Sequence, residues 1–219
     1  VRSHVPDIIV SDVMMPRMNG YKLCKTIKED INISHIPVIL LTARDDRQSQ
    51  ISGYKNGADG YLSKPFEVEM LMELIRNRLK NREYTKKRYL NAGLIPTPEE
   101  STISLTDETF LIKLNSIIQE NIDNTNLGIQ FICQEVGLGR SSLYNKLKAL
   151  TGMGANEYIS KLRIEKAITL ISGTDMPFSE IAEKTGFTTP SYFSTTFKQY
   201  TGETPSQYKE RKKKGLTDQ

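Results

Sequence analysis

The sequence predicts two domains of different class: an α/β layer built on three parallel strands, then an all-α domain containing tandem helix-turn-helix units. Three observations carry this. Short apolar, β-branched runs alternate with helical periods over residues 7–82. A pattern of helix, glycine turn and helix is stated twice later on, in residues 129–152 and 178–202. Between the halves Gly93, Pro96 and Pro98, followed by the polar residues 99–104, break all periodicity and read as a linker. A chain of 219 residues has room for both domains, and 37% hydrophobic with 26% charged residues is the balance of a globular protein. No apolar run approaches the length of a membrane span, and no signal peptide opens the chain. Cys24 and Cys133 sit on apolar helical stripes without metal-ligand spacing, which predicts reduced thiols and a cytoplasmic setting. His4 and His35 are the only histidines, so a zinc or haem site is not expected.

Residues 7–12, DIIVSD, form an apolar run that ends in an acid, the form of a buried parallel strand whose carboxyl end presents a side chain to a crevice. A loop broken by Pro16 and Gly20 leads into a helical period over 21–29. Residues 37–42 (PVILLT) are a second strand, 47–56 a polar helix, 60–63 a third strand and 66–82 a longer helix that 84–90 extend. Such alternation implies right-handed crossovers. Asp12, Thr42 and Lys64 each close a strand, and parallel strands aim all three at one edge. A carboxylate, a hydroxyl and an ammonium brought together suit aspartyl phosphorylation: the carboxylate attacks phosphorus, while the ammonium and hydroxyl hold the phosphoryl oxygens. Singly, each residue reads more readily as a capped strand end or a surface ion pair; the three together favour the phosphoryl chemistry. An enzymatic alternative, a phosphatase of the haloacid-dehalogenase type, needs a second carboxylate two residues after the nucleophile, and Met14 stands there.

In the second half, Thr106 and Asp107 mark a helix start, and Phe110, Leu114, Ile117, Ile118 and Ile122 give that helix an apolar face. The two copies follow. Each has a short helix with an apolar stripe (Ile132, Cys133, Val136; Ile181, Ala182), a glycine (Gly137; Gly186) and an apolar plug (Leu138; Phe187). In the second helix of each copy the apolar side is Leu143, Leu147, Leu150 or Phe193, Phe197, Tyr200. The residues between face outward: Arg140, Ser141, Ser142, Tyr144, Asn145, Lys146 and Lys148 in the first, Thr189, Ser191, Tyr192, Thr195, Thr196 and Lys198 in the second. Neither face holds an acid. An amphipathic stretch, residues 157–172, joins the copies and sets a spacing that suits successive major-groove faces.

These residues carry two resemblances. Residues 107–212, and above all PSYFSTTFKQYTGETPSQYK, resemble the AraC/XylS-type DNA-binding domain. That resemblance implies base-edge contact by Arg140, Ser141, Tyr144 and Asn145 in the first unit and by Ser191, Tyr192 and Thr195 in the second, with Lys148 and Lys198 on the same DNA-binding faces. Thr195 stands where an arginine would discriminate guanine strongly, so the first helix is expected to carry more of the sequence reading. DVMMPRMNG, LLTA and GADGYLSKPF resemble the response-regulator receiver domain, here as a flavodoxin-like remnant of three strands. By that resemblance Asp12 is the phosphoacceptor, Thr42 the switch hydroxyl, Lys64 the phosphate-sensing lysine and Tyr61 the aromatic whose rotation reports phosphorylation; Asp12 and the Met14 backbone carbonyl would hold Mg²⁺. Receivers of this type begin with two further strand-helix units, which supply an acidic pair to the metal. The expectation is therefore a piece of a longer protein, with an incomplete Mg²⁺ site and with the edge of residues 7–12 covered by another chain or poorly ordered.

The divisions expected are 1–82 for the partial receiver, 83–106 for a helical extension and linker, 107–214 for the DNA-binding domain and 215–219 for a tail. The function expected is a non-enzymatic transcription regulator of a two-component phosphorelay. Its partners would be double-stranded DNA, a histidine kinase as phosphodonor and a second copy bound through the receiver, with no membrane contact. The same order of domains resembles the C-terminal end of hybrid sensor kinases. The alternative is a helical repeat that binds protein, with the receiver remnant serving only to dimerise. A net charge of +4 is modest for a DNA binder, but Arg76, Arg78, Lys80, Arg82, Lys86, Lys87 and Arg88 form one cluster and Lys209, Arg211, Lys212, Lys213 and Lys214 another. Each reads either as a phosphate track or as a solvated surface.

Overall fold

The computed structural model describes residues 5–43, 57–91 and 104–217. The expected helix over 47–56, His4 and the linker residues 92–103 lie outside them. Strands β1 (Ile9–Asp12), β2 (Val38–Thr42) and β3 (Gly60–Ser63) form one parallel sheet in that order. Their register sets Asp12 beside Leu41 and Thr42 beside Ser63, so the ends of the strands fall at one edge. Helix α1 (Gly20–Glu29) starts at Asn19, whose side chain accepts the Lys22 N–H, and buries Cys24 and Ile27. Gly20 is required by closeness: a Cβ there would lie 2.9 Å from Val13 Cα and collide with the Asp12 carbonyl. The core of this layer joins Cys24 and Ile27 to Val13, Ile33, Ile36, Val38, Leu40 and Ala58. Lys28 ties α1 to the turn that follows, with Nζ 2.7 Å from Asp59 and donating to the carbonyls of Ser34 and Ile36.

Of the two outcomes expected for the edge of residues 7–12, poor order is not what β1 shows. Among the described residues it pairs only with β2, yet it is a regular strand, anchored by Ile9 N–H to Pro37 O and Val13 N–H to Leu41 O, both 2.8 Å. Val10 is 38% exposed on this edge. After β3 comes the longest helix, α2 (Val68–Asn91), whose length includes the extension expected over 84–90.

The chain divides into two compact units that do not follow chain order: Val1–Ile112 with Ser141–Gly152, and Lys113–Arg140 with Met153–Gln219. Helix α3 (Leu105–Glu120) passes from the first to the second. Ser104 caps it, accepting the Asp107 N–H and donating to the Asp107 carboxylate at 2.8 Å. In the second unit lie α4 (Ile129–Val136), α6 (Ala155–Gly173), α7 (Phe178–Lys184), α8 (Pro190–Thr201) and α9 (Pro205–Thr217). Helix α5 (Arg140–Thr151) belongs to the first unit from Ser141 onward.

The core of the second unit is Ile164, Ala167 and Ile171 of α6, Ile181 and Ala182 of α7, and an aromatic ladder. Phe187 contacts Phe193, Phe193 contacts Phe197 and Phe197 contacts Tyr208, with ring centroids 5.3, 5.7 and 5.6 Å apart. Edge and tilted ring contacts of this kind add roughly 0.5–1.5 kcal/mol each to the burial of the rings themselves. Thr189 caps α8 by accepting the Tyr192 N–H, Pro190 occupies its first turn, and Gly202 ends it at φ +82°. Arg163, 9% exposed, donates to the carbonyls of Ile122 and Asn124.

The two turn glycines share a backbone conformation, with φ +72° at Gly137 and +71° at Gly186, but not a setting. A Cβ at Gly137 meets nothing within 4 Å, whereas one at Gly186 would run into the Ile122 carbonyl and lie 2.9 Å from Arg163 Cζ. Gly137→Ala is therefore expected to cost about 1 kcal/mol, the left-handed backbone alone, and Gly186→Ala about 3 kcal/mol or more once the clash is added. Urea denaturation of the two variants checks the difference; equal losses would remove the packing argument.

Candidate functional site

Two sets of functional side chains can be built from the elements. At the carboxyl edge of the sheet, the Asp12 carboxylate accepts the Met14 N–H at 3.0 Å and forms an ion pair with Lys64 Nζ. Lys64 arrives there because β3 runs parallel to β2 and its N–H bonds the Thr42 carbonyl at 2.6 Å. The Lys64 ammonium, and then the Met14 N–H, hold the Asp12 carboxyl below the ordinary aspartate value of 3.8. Thr42 is 2% exposed at the end of β2. Tyr61 is half-buried against the core of the layer, and its hydroxyl lies 3.0 Å from that of Tyr21. The structure thus brings Asp12 and Lys64 into contact, links Thr42 to them through the backbone, and sets Tyr61 behind them against α1.

A Mg²⁺ ion asks for about six oxygens in octahedral array. The Asp12 carboxylate is already shared between Lys64 and Met14, and among the described residues no group of three His, Cys, Asp or Glu side chains is placed to hold a metal. Asp12 and the Met14 carbonyl would fill only part of that array, and the described residues do not complete it. Neither Cys24 nor Cys133 is in a disulfide, and burial pushes the Cys24 thiol up to about 11.

The second set lies on the helices α5 and α8. On α8, Ser191, Tyr192, Thr195 and Lys198 are exposed while Phe193 and Phe197 are fully buried. Thr196, expected outward, is 4% exposed, and Tyr200, expected inward, is 39% exposed with its hydroxyl on the Glu157 carbonyl. On α5, Arg140, Ser141, Tyr144, Asn145 and Lys148 are exposed. Lys146 is the main correction: expected outward, it is fully buried. Its Nζ lies 2.5 Å from Asp107, donates to Ser34 Oγ at 2.8 Å and stands 5.0 Å from the centre of the Phe110 ring. Ser34 Oγ donates in turn to Asp107 at 2.7 Å. The helical period carried the signal. Lys146 lies three residues after Leu143 and one before Leu147, as Thr196 does between Phe193 and Phe197, and at both positions spacing decides burial over residue type. Ser34 and Asp107 had no such signal.

Burial opposes the charge on Asp107, but Lys146 and the hydroxyls of Ser34 and Ser104 outweigh it and keep the carboxylate ionised well into acid. His35 is buried nearby, and burial and then Lys146 push it down to about 4, so it stays neutral at physiological pH. Within the same unit a cleft of about 990 Å³ runs between this region and α5. Asp30, Asn32, His35 and Arg82 line one wall; Ser141, Tyr144, Asn145 and Lys148 line the other.

The basic tail is largely compensated. Lys209 and Lys213 lie 3.3 and 3.8 Å from Asp175, Arg211 is 2.7 Å from Glu203 and Lys214 is 2.8 Å from Glu210. No helix among the described residues is long and apolar enough to cross a membrane.

Comparison with known proteins adds an independent finding. Residues 1–76 match the response regulator receiver domain family and residues 132–211 a helix-turn-helix domain family. The chain is 42% identical over 210 residues to "Histidine kinase P4" of Formosa agariphila, spanning 96% of this chain but 15% of that protein. It is 30% identical over 162 residues to the "Probable transcriptional regulator ycf29" of Pyropia yezoensis, covering 69% of this chain and 73% of that one. Among solved structures, the C-terminal domain of AraT, a response regulator from Geobacillus stearothermophilus, is 29% identical with a TM-score of 0.44, over 47% of this chain and 84% of that one.

Two outcomes are expected from the site chemistry. Replacing Lys64 by Met raises the Asp12 carboxyl toward 3.8, read by carboxyl-carbon NMR titration, and no rise would mean that the pair does not form in solution. Lys146→Met leaves Asp107 charged and buried without its partner and costs about 3–5 kcal/mol, whereas Lys146→Met with Asp107→Leu recovers most of the loss. Thermal unfolding of both variants decides it; a double variant as unstable as the single one contradicts a charge origin.

Proposed function

Because the chain belongs to the response-regulator family, with a receiver domain and an AraC-type helix-turn-helix domain, we propose that it is a sequence-specific transcription regulator controlled by phosphorylation of Asp12. The observation that carries this reading is the presence in one chain of the Asp12–Lys64 pair at a parallel sheet edge and of two helices with exposed, non-acidic faces. An Asp12 oxygen attacks the phosphorus of a phosphohistidine on a kinase partner. The O–P bond forms as the donor's N–P bond breaks, and the imidazole takes up a proton. Lys64 then pairs with the phosphoryl oxygens in place of the free carboxylate, the Thr42 hydroxyl turns to one of them and Tyr61 repacks. Receivers as a class use Mg²⁺ for this step, and the ion's full ligand set belongs to a complete receiver. Among the described residues Asp12 and the Met14 carbonyl are the ligands proposed.

Arg140, Ser141, Tyr144 and Asn145 of α5 and Ser191, Tyr192 and Thr195 of α8 are the proposed base-reading residues. Lys148 and Lys198 are assigned to phosphates. Pairing of two receivers would place two DNA-binding domains on repeated sites, where effective concentration raises affinity without new base contacts. The proposed division is 1–82 for the receiver, 83–106 for the connection and 107–214 for the DNA-binding domain, with 215–219 as a tail. The chain belongs with regulators rather than enzymes. Similarity to a histidine kinase of Formosa agariphila, of which this chain spans 15%, supports a place within a hybrid kinase, with this segment on the cytoplasmic side.

Selection of bound duplexes from a random pool by the full chain is expected to return a preferred sequence. Arg140→Ala and Asn145→Ala should each lose it by about 1–3 kcal/mol per contacted base, and Thr195→Ala by less. Binding should also weaken steeply with salt. Recovery of no preferred sequence, with binding indifferent to salt, favours a protein-binding helical repeat instead.

A further inference from the structure

Two buried nitrogens take no part in either set of functional side chains. Among the described residues three buried side-chain polar atoms lack a hydrogen-bond partner, and two of them, Arg78 Nε and His35 Nδ1, belong to residues lining one cavity of the first unit. Helix α2 supplies Arg78 and Arg82 to its wall, the turn after α1 supplies His35, and Lys28 and Asp59 line it too. A guanidinium N–H can only donate, and burying it without an acceptor is costly. His35 is 7% exposed, so its ring is largely shielded from bulk water. The cavity of about 70 Å³ is several times the roughly 10–15 Å³ that one water needs, and a tetrahedral oxyanion fits it.

Charge decides what kind of group suits this space. The two acids on the wall are already matched, Asp59 by Lys28 at 2.7 Å and Asp107 by Lys146 at 2.5 Å. Among the described residues Arg82 has only Asp7, 3.7 Å away with its side chain 90% exposed, and Arg78 has no ion pair. The carboxylates are spent and the guanidiniums are not. His35 feels the same excess: burial, then Lys146, and further Arg82 and Lys28 push it down, with Asp107 alone opposing. We propose that this cavity is a binding site for inorganic phosphate. Arg78 Nε and His35 Nδ1 donate to its oxygens, His35 as the neutral tautomer with its proton on Nδ1, and Arg82 adds charge. Asp59 sets the choice among oxyanions. At neutral pH phosphate keeps a P–OH that can donate to the Asp59 carboxylate, whereas sulfate carries no proton and meets repulsion there. The bound ion ties α2 to the turn after α1. It is distinct from a phosphoryl group on Asp12, since neither Asp12 nor Lys64 lines the cavity.

Equilibrium dialysis of the full chain against radiolabelled inorganic phosphate at neutral pH, with ionic strength held by sodium chloride, reads the site. Saturable binding is expected, with sulfate weaker by about tenfold or more as a competitor. Arg78→Met keeps the helix and removes the buried donor, and should weaken phosphate by about tenfold or more. His35→Leu removes the other donor without touching α2 and should weaken it likewise. Arg76→Met removes a cation of the same helix that is 69% exposed and does not line the cavity, and should leave binding unchanged. Thermal unfolding gives a second reading and shows that each variant is folded: phosphate raises the midpoint of the parent and of Arg76→Met, but not of Arg78→Met. Equal affinity in the parent, Arg78→Met and His35→Leu overturns the assignment, because the ion then sits on Lys64 or on an open helix face. No saturable binding by the parent overturns it as well and leaves water as the occupant. Sulfate bound as tightly as phosphate overturns the part given to Asp59.

Discussion

A buried ion pair is the constraint on which the first unit depends. Taking an ammonium and a carboxylate out of water costs several kcal/mol each, and their attraction offsets that only when the remaining bonding positions are filled. Here they are. The Asp107 carboxylate accepts from Lys146, Ser34 and Ser104, its backbone N–H donates to Ser104, and Lys146 is further packed against the ring of Phe110. Such a pair adds little net stability compared with apolar residues of the same size, but it tolerates only one arrangement of its neighbours. It therefore specifies where α5 sits more than how firmly the unit holds together.

The receiver layer works by a different economy. Its chemistry needs only that parallel strands end together, and the register of β1, β2 and β3 delivers that without help from distant parts of the chain. Asp12 and Lys64 meet across the sheet because Lys64 N–H is fixed to the Thr42 carbonyl. Gly20 lets α1 close over the loop that follows Asp12, and Tyr21, the next residue, reaches Tyr61. The start of α1 is tied to the loop after Asp12 by the Gly20 N–H on the Val13 carbonyl at 2.9 Å, and the turn after α1 is the one that carries Ser34.

In the second unit the aromatic ladder does the work that charge does in the first. Phe187, Phe193, Phe197 and Tyr208 pack in series, each on a different turn or helix, and leave the opposite side of α8 polar and open. The two helix-turn-helix copies are alike in sequence grammar but not in surroundings. The α8 face is open to solvent, and the α5 face looks into a cleft.

Local periodicity and punctuation were enough to determine the three strands, most helices among the described residues, both glycine turns and the meeting of Asp12 with Lys64. Each depends on residues a few positions apart or on the rule that parallel strands share an edge. The burial of Thr196 was also legible in the spacing of Phe193, Thr196 and Phe197, as was that of Lys146, had period been ranked above residue type. What only the tertiary structure decided is the reason a lysine can be there at all. Ser34 lies 112 residues from Lys146 and Asp107 lies 39, and no local pattern announces that a hydroxyl and a carboxylate so far away will meet one ammonium. The sequence by itself sets which face of a helix is polar; whether that face is free for DNA depends on what the fold brings up against it.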